Sequence, residues 1–235
     1  MSLTVALLAG GLATRLRPVT EKIPKALIDV NGEPFAFHQL RLLKRHGLEK
    51  VVYCLGYLGE MVKETVGDGS RFGVDVSYSF DGPNLLGTAG AIKQALPKLG
   101  EAFFVLYGDS YLDCDYGAVE EAYKFSKMPA LMTVFKNDGQ WDTSNVEFSE
   151  GRIKQYSKIH ISSNMNYIDY GLGVFSRSLF EVLPSGIPYD LSGMYEKLVN
   201  SGRLAAFEVQ QRFYEVGSFI GIEELRTYLE QTGAP

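Results

Sequence analysis

Short apolar runs rich in β-branched and aromatic residues alternate with segments whose apolar positions recur every three or four residues. This alternation fills the first half of the chain. Residues 4–8 (TVALL) read as a buried strand. A Gly-rich turn follows, then a helix starting near Pro34 in which Phe37, Leu40 and Leu43 share a face and Gly47 is the stop. The pattern repeats with a strand at 51–55, a helix at 59–66, a strand at 74–80, a helix at 88–96 and a buried strand at 102–107 (AFFVLY). Strands separated by helices of this length predict right-handed crossovers and a mostly parallel sheet of the α/β class.

Beyond Asp109 the rhythm changes. A helix at 117–127 precedes a strand at 131–135, and short strand-like pieces follow at 145–148, 153–156 and 168–175. Two helices come next, one around Leu179 and one over 190–201 with Asp190 as its expected N-cap. Strands at 204–209 and 213–216 and a helix at 223–231 close the chain. No internal repeat, low-complexity tract or long linker divides it, so a single domain is expected, its second half extending the first sheet and covering it. In an open parallel sheet the site lies outside the carboxyl ends of the strands, and the informative residues fall there.

With 46% hydrophobic and 22% charged residues the chain has the composition of a globular protein, and at 235 residues it buries enough surface to need no disulfides. Two cysteines, Cys54 and Cys114, and three scattered histidines, His38, His46 and His160, argue against metal held by soft ligands. The net charge of −5 carries no nucleic-acid footprint. The apolar start, 3–9, has no basic residue before it and is far too short to span a bilayer. A cytoplasmic protein with no membrane or nucleic-acid partner is expected, as monomer or homodimer.

The chemistry begins at Leu7-Leu8-Ala9-Gly10-Gly11-Leu12-Ala13-Thr14-Arg15-Leu16-Arg17-Pro18, with Thr20 and then Pro24-Lys25-Ala26-Leu27. A buried strand that ends in two glycines lets main-chain N–H groups face anionic oxygens without Cβ obstruction. Arg15 adds a planar fork and Lys25 a compact charge, both suited to phosphate. Position 12 is Leu, which excludes a dinucleotide fingerprint, and no Walker loop is present. The bland alternative is a turn carrying two surface cations.

The whole stretch resembles the signature of the sugar-1-phosphate nucleotidylyltransferases, L-A-G-G-x-G-T-R-L-x-P-x-T followed by P-K. It departs at Ala13, where the family usually has Gly; if that position needs positive φ, the Ala costs about 1 kcal/mol. Later matches follow in order. Asn84-Leu85-Leu86-Gly87-Thr88-Ala89-Gly90 resembles the L-G-T-A-G segment of the mannose-1-phosphate and heptose-1-phosphate guanylyltransferases, where this loop meets the base; Asn84-Leu85 replaces the usual Glu-Pro. Gly108-Asp109 resembles the family's Gly-Asp, whose aspartate holds Mg²⁺. Phe213-Tyr214-Glu215-Val216-Gly217-Ser218 resembles W-x-D-[IV]-G-T, with Glu215 in place of the second metal-binding Asp. Ile153 to Lys158 resembles I-x-x-[FY]-x-E-K-P, with Lys158 at the sugar-phosphate lysine and Ser157 replacing the glutamate. Ile168 to Gly173 resembles the strand under the sugar, where Gly171 would admit a ring.

The resemblance implies a Rossmann-like, mostly parallel sheet with helices on both faces and a smaller mixed β extension as a lid on the sugar side. Residues 1–110 would form the nucleotide-binding half and 111–235 the sugar-phosphate half. It implies transfer of a nucleoside monophosphate from an NTP to a sugar 1-phosphate with Mg²⁺ as cofactor. The implied catalytic residues are Arg15, Lys25 and Asp109, with the metal on Asp109 and Glu215. Leu8, Gly10, Gly11, Thr14, Gly87, Thr88, Asn145, Lys158, Asp169 and Gly171 would bind the substrates. Two other readings stay open. Thr20 to Leu27 also has the look of small cytidylyltransferases acting on a non-sugar phosphate such as phosphocholine. Glu215 and Ser157 would equally suit a catalytically silent regulatory subunit of the same fold.

Overall fold

The computed structural model describes residues 2–12 and 14–233. Ala13, the departure from the Gly of the signature, lies outside the described residues. In chain order, β1 (Thr4–Leu8) precedes a short hairpin of β2 (Asp29–Val30) and β3 (Glu33–Pro34), then α1 (Phe35–Arg45), β4 (Lys50–Leu55), α2 (Gly59–Val66), β5 (Asp75–Phe80), α3 (Gly87–Ala95) and β6 (Ala102–Tyr107). There follow β7 (Ser110–Tyr111), α4 (Tyr116–Ser126), β8 (Ala130–Lys136), β9 (Val146–Ser149), β10 (Arg152–Tyr156) and β11 (Tyr167–Ser176). The chain closes with α5 (Ser178–Glu181), α6 (Leu191–Asn200), β12 (Leu204–Val209), β13 (Tyr214–Glu215) and α7 (Phe219–Thr232).

Alternation within the strands fixes two cores. Val5 and Leu7 of β1, Val51 and Tyr53 of β4, and Phe104 and Leu106 of β6 face one side, against Leu40 and Leu43 of α1, Val62 of α2 and Val119 of α4. Ala6, Val52, Cys54, Phe103 and Val105 face the other, against Ile92 of α3, Phe180 of α5 and Met194 and Leu198 of α6. Each of these large side chains, when fully buried, contributes about 1.5–3 kcal/mol. A third cluster, with Leu16, Ile28, Phe35, Val216, Ile222 and Leu225, packs α7 onto the loop between β1 and α1.

β6, β1, β4 and β5 lie side by side in that order and run parallel. The chain moves outward from β1 to β4 and β5 and returns to β6 on the far side of β1, so the topological switch falls between β1 and β6. The second half extends the sheet with mixed pairing: β11 is antiparallel to β6, β8 antiparallel to β11, and β12 parallel to β8. The β9–β10 hairpin hangs from β11 by the Tyr167–Val146 pair. The result is a Rossmann-like, mostly parallel core with helices on both faces and an added mixed β region.

Element boundaries differ from the sequence reading where tertiary contacts intervene. The strand expected at 213–216 shrinks to β13, since its partner β7 is itself two residues long. The last helix begins at Phe219 and not at 223, because the Ser218 hydroxyl accepts the Gly221 N–H and caps it. Asp190 sits at the N-cap of α6 but its side chain makes no cap bond there; its Oδ1 instead accepts the Thr88 N–H at the start of α3 (3.3 Å). The turns at Thr14–Leu16, Val19–Glu21 and Lys25–Leu27 are single 3₁₀ turns that periodicity could not reveal.

Candidate active site

A cleft of about 310 Å³ opens at the carboxyl ends of β1, β4, β5 and β6. Leu8 and Tyr107 end the two strands that flank the switch. Gly108 donates its N–H to the Leu8 carbonyl (2.8 Å), and a Cβ at 108 would lie 2.7 Å from Ala9 Cβ. Gly10 and Gly11 line the cleft, each for its own reason. A Cβ on Gly10 would stand 2.9 Å from the Gly56 nitrogen, so close packing of two strand-end turns requires this glycine; Gly11 has open space around it. Thr14 opens the next turn, its side chain outside what is described. Arg15 stands exposed in that turn and does not line the cleft.

At one end of the cleft three charged groups converge. Lys25 Nζ lies 2.7 Å from Asp109 Oδ2, both less than a third exposed. β13 pairs with β7, so that Glu215 faces Ser110, and the Val216 N–H donates to the Asp109 carbonyl (2.8 Å). Glu215 turns back into its own loop: Oε2 accepts the Gly217 N–H and Oε1 accepts the Ser218 hydroxyl (2.6 Å). A Cβ on Gly217 would press on Glu215 Oε2 and stand 3.1 Å from Lys25 Nζ and 3.5 Å from Asp109 Oδ2. Gly217 therefore keeps open a cradle between two carboxylates and an ammonium.

This cradle fits a hard divalent cation. Its donors are carboxylate oxygens, as Mg²⁺ requires, and no group of three or more His, Cys, Asp or Glu side chains gathers among the described residues. Such an ion would complete its shell with water or ligand oxygens. Gln39, fully buried on α1, braces the region: its Nε2 donates to the carbonyls of Tyr107 (3.1 Å) and Ser110 (2.7 Å), on either side of Asp109. The sequence reading missed Gln39, though a Gln spaced four residues from both Phe35 and Leu43, on the buried face of the helix, was its available signal.

Gly87 and Thr88 line the cleft at the start of α3, but the polar groups of Thr88 serve the protein. Gly87 has φ +69°, and a Cβ there would stand 2.8 Å from the Tyr189 carbonyl. The Thr88 hydroxyl accepts the Leu191 N–H (2.7 Å), and the N–H groups of Ala89 and Gly90 donate to Tyr189 O. The α3 N-terminus is thus satisfied from the 189–191 segment. Cys54 forms part of the cleft wall, and burial pushes its thiol up to about 12, which makes it an apolar surface and not a nucleophile.

The remaining expected residues gather on the far side of Tyr107. Lys158 Nζ lies 5.7 Å from the Tyr107 ring centroid. Burial raises the Asp169 carboxyl above its ordinary value, while the Lys158 charge and the Gly171 N–H act against the rise. Asn145 Oδ1 accepts the Asp169 N–H (2.9 Å), so Asn145 holds the strand that presents Asp169. Gly171 has φ +95° and sits in a bulge where β11 shifts register against β8 between Asp169 and Gly173; a side chain there would meet Tyr107 and Ser110. Ser157, where the family often has Glu, accepts the N–H groups of Ile159 and His160 and shapes the loop after Lys158.

The Nucleotidyl transferase family model matches residues 4–155. UTP–glucose-1-phosphate uridylyltransferase of Synechocystis is 31% identical over 83% of this chain and 55% of its own length. N-acetylmuramate α-1-phosphate uridylyltransferase of Neisseria meningitidis is 42% identical over 48% of this chain and 49% of its own. D-glycero-α-D-manno-heptose 1-phosphate guanylyltransferase of Campylobacter jejuni is 28% identical over 74% and 76%. The chain thus spans about half the length of the first two relatives. The structure of HddC from Yersinia pseudotuberculosis complexed with GMP-PN shares the fold, with a TM-score of 0.81 at 22% identity over 97% of this chain and 100% of that one. A strand-end cleft with converging Lys and carboxylates and a family model covering most of the chain lead to one conclusion: the chain belongs to the nucleotidyl transferase family.

Proposed function

We propose that this protein transfers a nucleoside monophosphate from an NTP to a sugar 1-phosphate, yielding an NDP-sugar and pyrophosphate. The observation that carries this reading is the convergence of Lys25, Asp109 and Glu215 around Gly217 at one end of the cleft. Relatives named for uridylyl and guanylyl transfer to sugar 1-phosphates support it. On this reading residues 1–110 serve the nucleotide and residues 111–235 the sugar phosphate.

No covalent intermediate is needed. An oxygen of the acceptor phosphate is already an anionic nucleophile; it attacks the α-phosphorus, and the bond to the bridging oxygen of pyrophosphate breaks. The protein has to hold two anions together and neutralise charge on the leaving group. Lys25 meets the reacting phosphates, and Gly10 and Gly11 leave room for them over the end of β1. Arg15, exposed beside the cleft, reaches the triphosphate once a ligand draws it in. Lys158 takes the acceptor phosphate, with Asp169 holding its ammonium and offering an acceptor to a sugar hydroxyl.

Family members generally use a divalent metal; Mg²⁺ is the assignment here, with Asp109 and Glu215 as its protein ligands. When bound it supplies charge neutralisation across the transferring and leaving phosphates. Among the described residues no helix is long and apolar enough to cross a membrane. On this reading the protein works in the cytoplasm, with NTP and sugar 1-phosphate as its partners.

The test is a matrix of NTPs against sugar 1-phosphates, read by pyrophosphate release in the presence of Mg²⁺. Release is expected only when an NTP and a phosphorylated acceptor are both present. Nucleotide binding with no turnover across the panel would favour a regulatory subunit, and turnover with phosphocholine but no sugar phosphate would favour the cytidylyltransferase reading.

A further inference from the structure

Where the cleft meets the acceptor side, Tyr107 stands among carboxylates. It lines the cleft together with Asp109 and Asp190, and a Cβ on Gly171 would lie 3.6 Å from its ring. Asp169, two residues before Gly171, is held there by the Gly171 N–H, which donates to its Oδ1 (3.1 Å). Burial raises the Tyr107 phenol above its ordinary value, and the carboxylates of Asp169, Asp109 and Asp190 raise it further, so the phenol stays protonated at neutral pH. Burial and then Asp169 also raise Tyr156 and Tyr195, whose rings pack edge to face. Two lysines serve this region, and both have phosphates to meet. Lys25 is paired with Asp109 (2.7 Å), and Lys158 lies 5.7 Å from the Tyr107 ring centroid. Among the described residues, Asp169 feels the Lys158 charge without closing an ion pair, and Asp190 forms none. Asp190 Oδ1 accepts the Thr88 N–H and hydroxyl (both 3.3 Å), while its Oδ2 takes no hydrogen bond from any described residue.

From this distribution we infer that the acceptor site takes sugar 1-phosphates whose ring is uncharged or carries an ammonium, and rejects sugars that carry a carboxylate. The inference rests on the nucleotidyl-transfer reading and narrows its acceptor. Ring hydroxyls and ammonium groups donate hydrogen bonds, and carboxylates accept them. A sugar carboxylate only accepts, and it would add a like charge to those of Asp169 and Asp190 in a partly buried place where water screens little. Lys25 and Lys158 do not offset it, since the nucleotide and acceptor phosphates bring more negative charge than two ammonium groups supply. The Tyr107 hydroxyl offers a carboxylate one hydrogen bond against two like charges.

The experiment measures kcat/KM, with the best nucleotide, for the 1-phosphates of glucose, mannose, a manno-heptose, N-acetylglucosamine and glucosamine. These are compared with glucuronate and N-acetylmuramate 1-phosphates, which carry a carboxylate at C6 and on the C3 ether. In the wild type the best neutral or amino acceptor is expected to exceed both acidic ones by about tenfold or more, and a smaller gap for either overturns the inference. Asp169→Asn and Asp190→Asn, the latter able to keep the Thr88 contact on its amide oxygen, remove one like charge each. At least one of them is expected to shrink the gap by about threefold or more. The gap is a ratio, so any loss of turnover common to all acceptors cancels. A gap unchanged in both variants, with melting curves showing them folded, overturns the inference as well. Good turnover of an acidic acceptor leaves the transfer reading standing and removes the inference alone. Nucleotide binding with no turnover on any acceptor removes both.

Discussion

Gly217 shows how much a single missing methyl group decides. Its φ lies outside the left-handed range, so the backbone would accept alanine, but the Cβ would press on Glu215 and crowd Lys25 and Asp109. Gly217→Ala is therefore expected to lower kcat about tenfold or more, about 1.4 kcal/mol of barrier, with little change in Tm; steady-state kinetics and thermal melts check both. Lys25 and Lys158 should separate in kinetics. Under the proposed function, Lys25, paired with Asp109, would meet charge that develops during transfer, so Lys25→Ala should chiefly lower kcat, whereas Lys158→Ala should chiefly raise the acceptor KM. Asp169 carries a stability cost. Its raised carboxyl means that the native protein holds the proton more tightly than the unfolded chain does. Ionisation thus costs stability, and the loss sets in as pH rises from the ordinary carboxylate value through the native one. Asp169→Asn should melt higher than wild type at pH 7–8 while weakening acceptor binding, and the gain in Tm should vanish below about pH 4. A gain that persists in acid would contradict this account.

Between elements, the loops that carry Asp109 and Glu215 depend on how α7 is tied down. Asp113, four residues after Asp109, pairs with Arg45 (2.7 Å) and His46 (3.0 Å) at the end of α1 and accepts the Tyr228 hydroxyl of α7 (3.1 Å). Burial pushes the Asp113 carboxyl up, but the His46 hydrogen bond and the Arg45 charge outweigh it and hold it below the ordinary value. Such a group stabilises the fold above its unfolded pKa, and the contribution is lost as pH falls through the native one. Asp113→Asn should lower stability to urea at pH 7, with the deficit closing near pH 3. Since α7 begins directly after the Glu215 turn, kcat should fall too. The element register explains what the sequence left hidden. Hydrophobic periodicity located the nine longer strands and most helices, because one buried face is enough to mark them. It missed the β2–β3 hairpin and the 3₁₀ turns, and it overextended the strand at β13, because two- or three-residue elements are set by partners elsewhere in the chain.

For the molecule as a whole, a cleft built only in the native state couples ligand binding to stability. A nucleotide at 100 times its Kd should raise stability by about 2.7 kcal/mol, readable as a Tm increase of about 5–10 °C, and Lys25→Ala should reduce that increase. The sequence by itself determined the alternation of strands and helices, the parallel core, and the family through the Gly10 to Lys25 stretch. These are local properties: a strand's buried pattern, a turn's glycines and a motif's spacing are written in contiguous residues. Only the tertiary structure decided what those residues meet. It turned the polar groups of Thr88 and Asp190 toward one another, left Arg15 exposed, and assigned Asn145 to hold the strand under Asp169. It also brought Asp109 and Glu215 to one cradle across more than a hundred residues. Each of these depends on strand order and on loops from distant parts of the chain, and contacts between such segments arise from packing, on which no local pattern in the sequence reports.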